Sequence, residues 1–187
     1  MAKIGSSDLD VFPLCLGGNV FGWTADVDAS RAVLDGYVEA GGNFVDTSDS
    51  YMWRIPGNSG GESETVLGDW MADRGTRHGL VIATKVGSLP SRPGLSAANI
   101  AAAARDSLRR LRMERIDLYY AHKDDPDTPQ EETFAAFDRL VRDGLVGAIG
   151  VSNFSASRLS SALEVCRREG FAAPVALQPQ YNLLERA

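Results

Sequence analysis

Six short apolar runs recur along the chain, and each one breaks off into a Gly, Asp, Lys, His, Ser or Gln. They are "PLCLGG" (13–18), "NFVDTS" (43–48), "LVIATKVG" (80–87), "IDLYYAHKD" (116–124), "VGAIGVSN" (146–153) and "PVALQPQY" (174–181). Runs of this kind predict buried parallel strands. Between them the apolar residues fall three and four apart: Val33, Leu34, Tyr37 and Val38; Val66, Leu67, Trp70 and Met71; Ile100, Ala104, Leu108 and Leu111; Phe134, Phe137, Leu140 and Val141; Leu159, Ala162, Leu163 and Cys166. That is the period of helices with one buried face. Ser63 and Ser96 stand where N-caps belong, Pro129 suits a first turn, and Gly41, Gly75, Gly144 and Gly170 follow helix ends. Strand and helix in strict alternation leave two architectures, an open doubly wound sheet or a closed barrel, both parallel and covered by helices.

Two features favour the barrel. The glycines of "LGGNVFGW" are Gly17, Gly18 and Gly22, and "GLVGAIG" is also wrongly spaced, so no dinucleotide-binding phosphate turn of the Rossmann type is present. Polar residues also recur at the C-terminal ends of most of the runs, where a (β/α)8 barrel gathers its site from separate loops. Ahead of the first run, "AKIGSSDLDVF" reads as two short segments around a turn, a hairpin suited to the barrel floor. A (β/α)8 TIM barrel takes about 250 residues, whereas this sequence has 187. Six strands would leave two edges unpaired. The expectation is therefore one domain over 1–187, carrying the hairpin and roughly the first six β/α units of a (β/α)8 barrel and stopping before strands seven and eight.

Composition narrows the function. With 44% hydrophobic residues the chain can bury a sizeable core. Lysine and arginine number 19 against 25 acids, a net charge of -6, which makes nucleic acid a poor partner. The start has no apolar stretch behind its lysine, and nowhere do about 18 apolar residues run together, so neither a secretory signal nor a membrane span is expected. Cys15 and Cys166 fit no disulfide framework or zinc spacing, which suits a reducing cytoplasm. The two histidines, His78 and His122, lie far apart, and no metal site is expected.

The sharpest local feature is "GNFVDTSDSY" (42–51), which begins as a buried strand and then places Asp46 at its end, four small or polar residues, and Tyr51. Lys85 ends the third run and His122 the fourth, so all four side chains should meet at one rim. Taken singly, each has a plain structural role: a turn cap, a loop aromatic, a surface lysine, a hydrogen-bonded histidine. Taken in order, "VDTSDSY", "IATKVG", "IDLYYAHKDDPDTPQEE" and "IGVSNFS", with "IGSSDLDVFPLCLGGNVFGW" before and "LQPQYNLLER" after, resemble the aldo-keto reductase family along essentially the whole chain. Within it, the sequence is similar to the bacterial branch that also resembles potassium-channel β subunits.

The resemblance implies reduction of an aldehyde or ketone to an alcohol, with NADPH (or NADP+ in reverse) as cofactor and a small carbonyl compound as substrate. Tyr51 would be the general acid, Lys85 and Asp46 its tuning pair, and His122 the donor that orients the carbonyl. The chemistry is coherent: a free phenol, at about 10, gives up its proton reluctantly at neutral pH. A nearby ammonium held by a carboxylate is expected to lower that value. The family's cofactor positions fall on Ser152, Asn153 and Gln178 for the carboxamide, with Gly18, Asn19 and Phe21 near the ring and pyrophosphate. Ser152 and Asn153 are also placed to cap a helix starting near Ser155, and Trp23 and Trp53 suit either pocket walls or packing beneath a loop. The family's segment that holds the adenosine phosphate has no counterpart here, so NADPH over NADH is family habit. Two rivals stand: a non-catalytic cofactor-binding regulatory subunit, and an aldolase forming a Schiff base on Lys85. Oligomeric state and physiological substrate are not readable.

Overall fold

A computed structural model describes residues 1–75, 77 and 79–186; His78 lies outside them. The chain opens with an antiparallel hairpin of β1 (Ala2–Lys3) and β2 (Asp10–Val11). There follow β3 (Leu16–Gly17), α1 (Val27–Glu39), β4 (Phe44–Asp46), α2 (Glu62–Asp73), β5 (Val81–Val86), α3 (Ala97–Leu111), β6 (Ile116–Ala121), α4 (Gln130–Arg142), β7 (Val146–Ser152), α5 (Ala156–Glu169) and β8 (Ala176–Gln178). Strands β3 to β8 make one six-stranded parallel sheet in chain order, so each strand neighbours the next in sequence and the helices between them serve as crossovers. This curled sheet is part of a (β/α)8 barrel, with β3 and β8 as its edges.

Alternation along the strands sorts the core into two layers. Val45, Ile82, Val86, Tyr119, Ala121, Ile149 and Val151 face the helices and pack with Leu67, Ile100, Leu111, Phe134 and Phe137. Each fully buried Val, Leu, Ile or Phe among them contributes roughly 1.5–3 kcal/mol. The opposite face carries a smaller cluster, Ala83, Leu118, Tyr120 and Ala148, closed by Ile4 and Leu9 of the hairpin and by Phe44, Val175 and Ala176. The hairpin thus plugs the inside of the sheet, and the Asn43 carboxamide ties it there by accepting from Phe12 N at 2.7 Å and donating to Asp10 O at 3.0 Å.

Ser96 caps α3 as expected, its hydroxyl accepting from Asn99 N, and Gly41, Gly75, Gly144 and Gly170 all have positive φ just past helix ends. Ser63 is not a cap. Gly61, at φ 87° with the Arg110 side chain against it, occupies the cap of α2, and Ser63 is buried in the first turn with its hydroxyl on Gly18 O at 2.7 Å. Val33 and Leu163, expected in the core, are exposed. They sit on α1 and α5, the helices beside the two sheet edges, where α1 packs on α2 and α5 on α4.

Candidate active site

The rim side chains continue the inner face of the sheet. Two residues beyond Phe44, Ala83 and Ala176 on that face come Asp46, Lys85 and Gln178; two beyond Tyr120 comes His122; and Ala148 leads through Gly150 to Ser152. Period-two geometry therefore delivers five polar side chains from five strands to one end of the barrel. The register reinforces this, with Asp46 beside Ala83, Lys85 beside Tyr120 and Ser152 beside Gln178.

Lys85 is fully buried, and its ammonium donates to Asp46 Oδ2 at 2.5 Å, Thr47 O at 2.9 Å and the Tyr51 phenol oxygen at 2.9 Å. Tyr51 in turn donates to Asp46 Oδ2 at 3.2 Å. The Tyr51 and His122 rings meet edge to face, 6.1 Å between centroids, and His122 Nδ1 lies 3.0 Å from Ser48 Oγ and 3.3 Å from Ser50 Oγ. The four residues singled out in the sequence are thus gathered into one cluster of contacts.

Their electrostatics differ from expectation in one respect. Burial first, then the Asp46 carboxylate, pushes the Tyr51 phenol above its ordinary value, where the carboxylate-held ammonium was expected to lower it. Burial likewise draws Lys85 below its usual range, while the Asp46 carboxylate pushes back. Tyr51 therefore holds its proton firmly at neutral pH. His122 is neutral there too, since burial and the nearby Lys85 and Lys123 hold it at about 4.

Three residues in "DTSDSY" went unread as functional: Ser48, Asp49 and Ser50. The signal was available, because a loop that joins two site residues over four positions must itself line the site. Asp49 is fully buried and held at about 7, chiefly by burial and by Glu64.

Across the rim, Ser152 Oγ donates to Gln178 O at 2.8 Å, and Asn153, at φ 56°, donates through Nδ2 to His122 O and Ser152 Oγ, each at 2.9 Å. Helix α5 is capped by Ser155 instead. The Gln178 carboxamide has no hydrogen-bond partner among the described residues. Gly18 is packed tightly, with Ser63 Oγ only 2.9 Å from where a Cβ would stand. Asn19 is exposed, whereas the Phe21 ring is buried in the helix-side core. Trp23 and Trp53 line a cavity of about 320 Å³ with Tyr51, Met52, Arg54 and Ile55. Both tryptophans are exposed, so they wall this pocket and do not pack beneath the loop.

Residues 13–187 match the sequence profile of the Aldo/keto reductase family. The chain belongs to that family. This aldo/keto reductase chain is 36% identical over 98% of its length to an uncharacterized oxidoreductase, YrpG, of Bacillus subtilis (strain 168), of which it covers 58%. It is 35% identical over 98% of its length to a probable voltage-gated potassium channel subunit beta of Oryza sativa subsp. japonica, covering 56% of that protein. Against the aldo-keto reductase ausK of Aspergillus calidoustus the identity is 33%, over 97% of this chain and 48% of the relative. The aldo/keto reductase chain therefore spans about half the length of the curated relatives it matches. Among the described residues no helix is long and apolar enough to cross a membrane, and no group of three or more metal-ligating side chains is gathered.

Proposed function

We propose that the protein is an NADPH-dependent reductase of aldehydes or ketones, acting as a closed barrel in a reducing cytoplasm, where its two unpaired cysteines are at home. The observation that carries this reading is the shared contact of Lys85 and Asp46 with the Tyr51 phenol. A reduced nicotinamide, when bound, would supply the hydride. Ser152, Asn153 and Gln178 fit its carboxamide, because amide and hydroxyl groups meet there and the Gln178 side chain has no partner among the described residues.

Tyr51 is placed to turn its proton from Asp46 to the substrate oxygen as negative charge builds there. Lys85, already donating to the phenol oxygen, stabilises the phenolate left behind, and Asp46 keeps the ammonium aimed. His122 presents its other ring edge to the carbonyl. The firmly held Tyr51 proton suits an acid that must not ionise before substrate arrives. All three Nζ hydrogens of Lys85 have acceptors, which supports a charged lysine over a Schiff-base nucleophile.

The relatives named as potassium channel β subunits favour one second reading, a cofactor-binding subunit without turnover. The intact protein should oxidise NADPH with 4-nitrobenzaldehyde, and Tyr51→Phe should lower turnover about 10²–10⁴-fold while cofactor binding, followed by fluorescence, persists. Unchanged turnover in the variant overturns the assignment of Tyr51; binding without turnover in the wild type favours the second reading.

A further inference from the structure

Asp49 is a buried carboxylate that none of these steps uses. Its Oδ2 has no hydrogen-bond partner among the described residues, and its Oδ1 is approached by Ser48 Oγ at 3.4 Å. Ser48 Oγ also lies 3.0 Å from His122 Nδ1 and 3.0 Å from Ser50 Oγ, and it accepts from Ser50 N at 3.2 Å. A hydroxyl has one proton to give. If Ser48 gives it to Asp49, a Ser48 lone pair faces the imidazole, Nδ1 must carry the ring proton, and Nε2 is bare. If Ser48 gives it to Nδ1, the ring proton sits on Nε2. Only the second tautomer can donate to a carbonyl oxygen. The Ser50 hydroxyl, 3.0 Å from Ser48 Oγ and 3.3 Å from Nδ1, can donate to Ser48 in either arrangement.

We propose that Asp49 selects the tautomer of His122 through the Ser48 hydroxyl, and so decides whether Nε2 offers a proton to the substrate; the catalytic consequence rests on the carbonyl-reduction reading above. A neutral Asp49 carboxyl gives its own proton to Ser48 and frees the Ser48 proton for Nδ1. An ionised Asp49 takes that proton instead. The charged and titratable groups facing Asp49 are Glu64 from α2, Lys85 from β5, Arg92 from the loop after β5, Arg110 from α3 and Tyr119 from β6. Burial and Glu64 outweigh the two guanidiniums and bring the carboxyl to about 7, so the arrangements exchange near neutrality. Facing His122 are Lys85 and Lys123, which with burial keep it uncharged there; what changes is the tautomer.

Nitrogen-15 NMR of the imidazoles in the intact protein tests this directly, with His122→Gln identifying its resonances. His122 should be in the Nε2–H form on the acid side of about 7 and move to the Nδ1–H form on the alkaline side. Asp49→Asn and Ser48→Ala should each abolish the transition. In parallel, KM for the aldehyde should rise about tenfold across the same range in the wild type and stay level in Asp49→Asn. A tautomer that ignores pH in the wild type, or changes equally in Asp49→Asn, overturns the inference even if turnover is normal. A tautomer transition without any turnover leaves the relay standing and rejects the reductase reading instead.

Discussion

Lys85 Nζ and the Tyr51 phenol oxygen lie 2.9 Å apart, although the residues are 34 positions apart in the chain. Both contact the same oxygen of Asp46, so a cation, an anion and a phenol share one buried point. In a low-dielectric site each member depends on the other two: unpaired, either ion would cost several kcal/mol to bury.

Removing the cation alone should therefore be worse than removing the pair. Lys85→Met leaves Asp46 charged and buried, an expected loss of about 3–5 kcal/mol of stability. Adding Asp46→Asn to that variant should restore much of it, while neither protein regains carbonyl reduction. Urea unfolding of the two variants checks this; a double variant no more stable than Lys85→Met would show that the ion pair is not what ties them.

Two helical glycines should respond oppositely to alanine. A Cβ at Gly68 in α2 would lie 2.1 Å from Arg110 O and 2.9 Å from Leu111 backbone atoms, so α2 and α3 would have to part. Gly68→Ala should cost about 1–3 kcal/mol. A Cβ at Gly36 in α1 would meet nothing within 4 Å among the described residues outside its own helix backbone, and Gly36→Ala should stabilise by about 0.5–1 kcal/mol through helix propensity. Equilibrium denaturation of the pair reads both signs.

Asp49 sets a pH dependence of stability. Its carboxyl is raised from 3.8 to about 7, so folding opposes its ionisation. The cost is absent below 3.8, grows as pH rises, and is fully present above about 7. Asp49→Asn, which cannot ionise, should raise Tm above that range, with the advantage shrinking as pH falls towards 3.8. A Tm difference independent of pH would contradict the buried, proton-holding carboxyl.

The rate profile separates the acid from the relay. Tyr51 stays protonated through its ordinary value of 10.0, so kcat/KM for reduction should show no loss from Tyr51 below that pH. An alkaline limb near 7 belongs to Asp49 and should vanish in Asp49→Asn. A limb that persists in the variant between these two values would mean that the phenol ionises earlier than its surroundings dictate.

Much of this was legible because strands and helices announce themselves by local period. All six runs form strands of one parallel sheet, and the stripes at 33–38, 66–71, 100–111, 134–141 and 159–166 all lie on helices. A period shows which side of a helix is apolar without showing what covers it, which is why Val33 and Leu163 emerged exposed beside open edges. The Ser63 cap failed for a related reason: whether a serine caps or is buried depends on Gly61 entering the left-handed region two residues earlier, under Arg110 from another helix.

The order of strands and helices, and the presence of Asp46, Lys85, His122, Ser152 and Gln178 at strand ends, follow from the sequence alone, because side-chain alternation is a property of neighbouring residues. The proton affinity of Tyr51, the isolation of Asp49 and its link to His122 were decided only on folding. Desolvation and Coulomb interactions act through space: Asp46 from β4 acts on Tyr51, and Glu64 from α2, Arg110 from α3 and Arg92 from the loop after β5 act on Asp49.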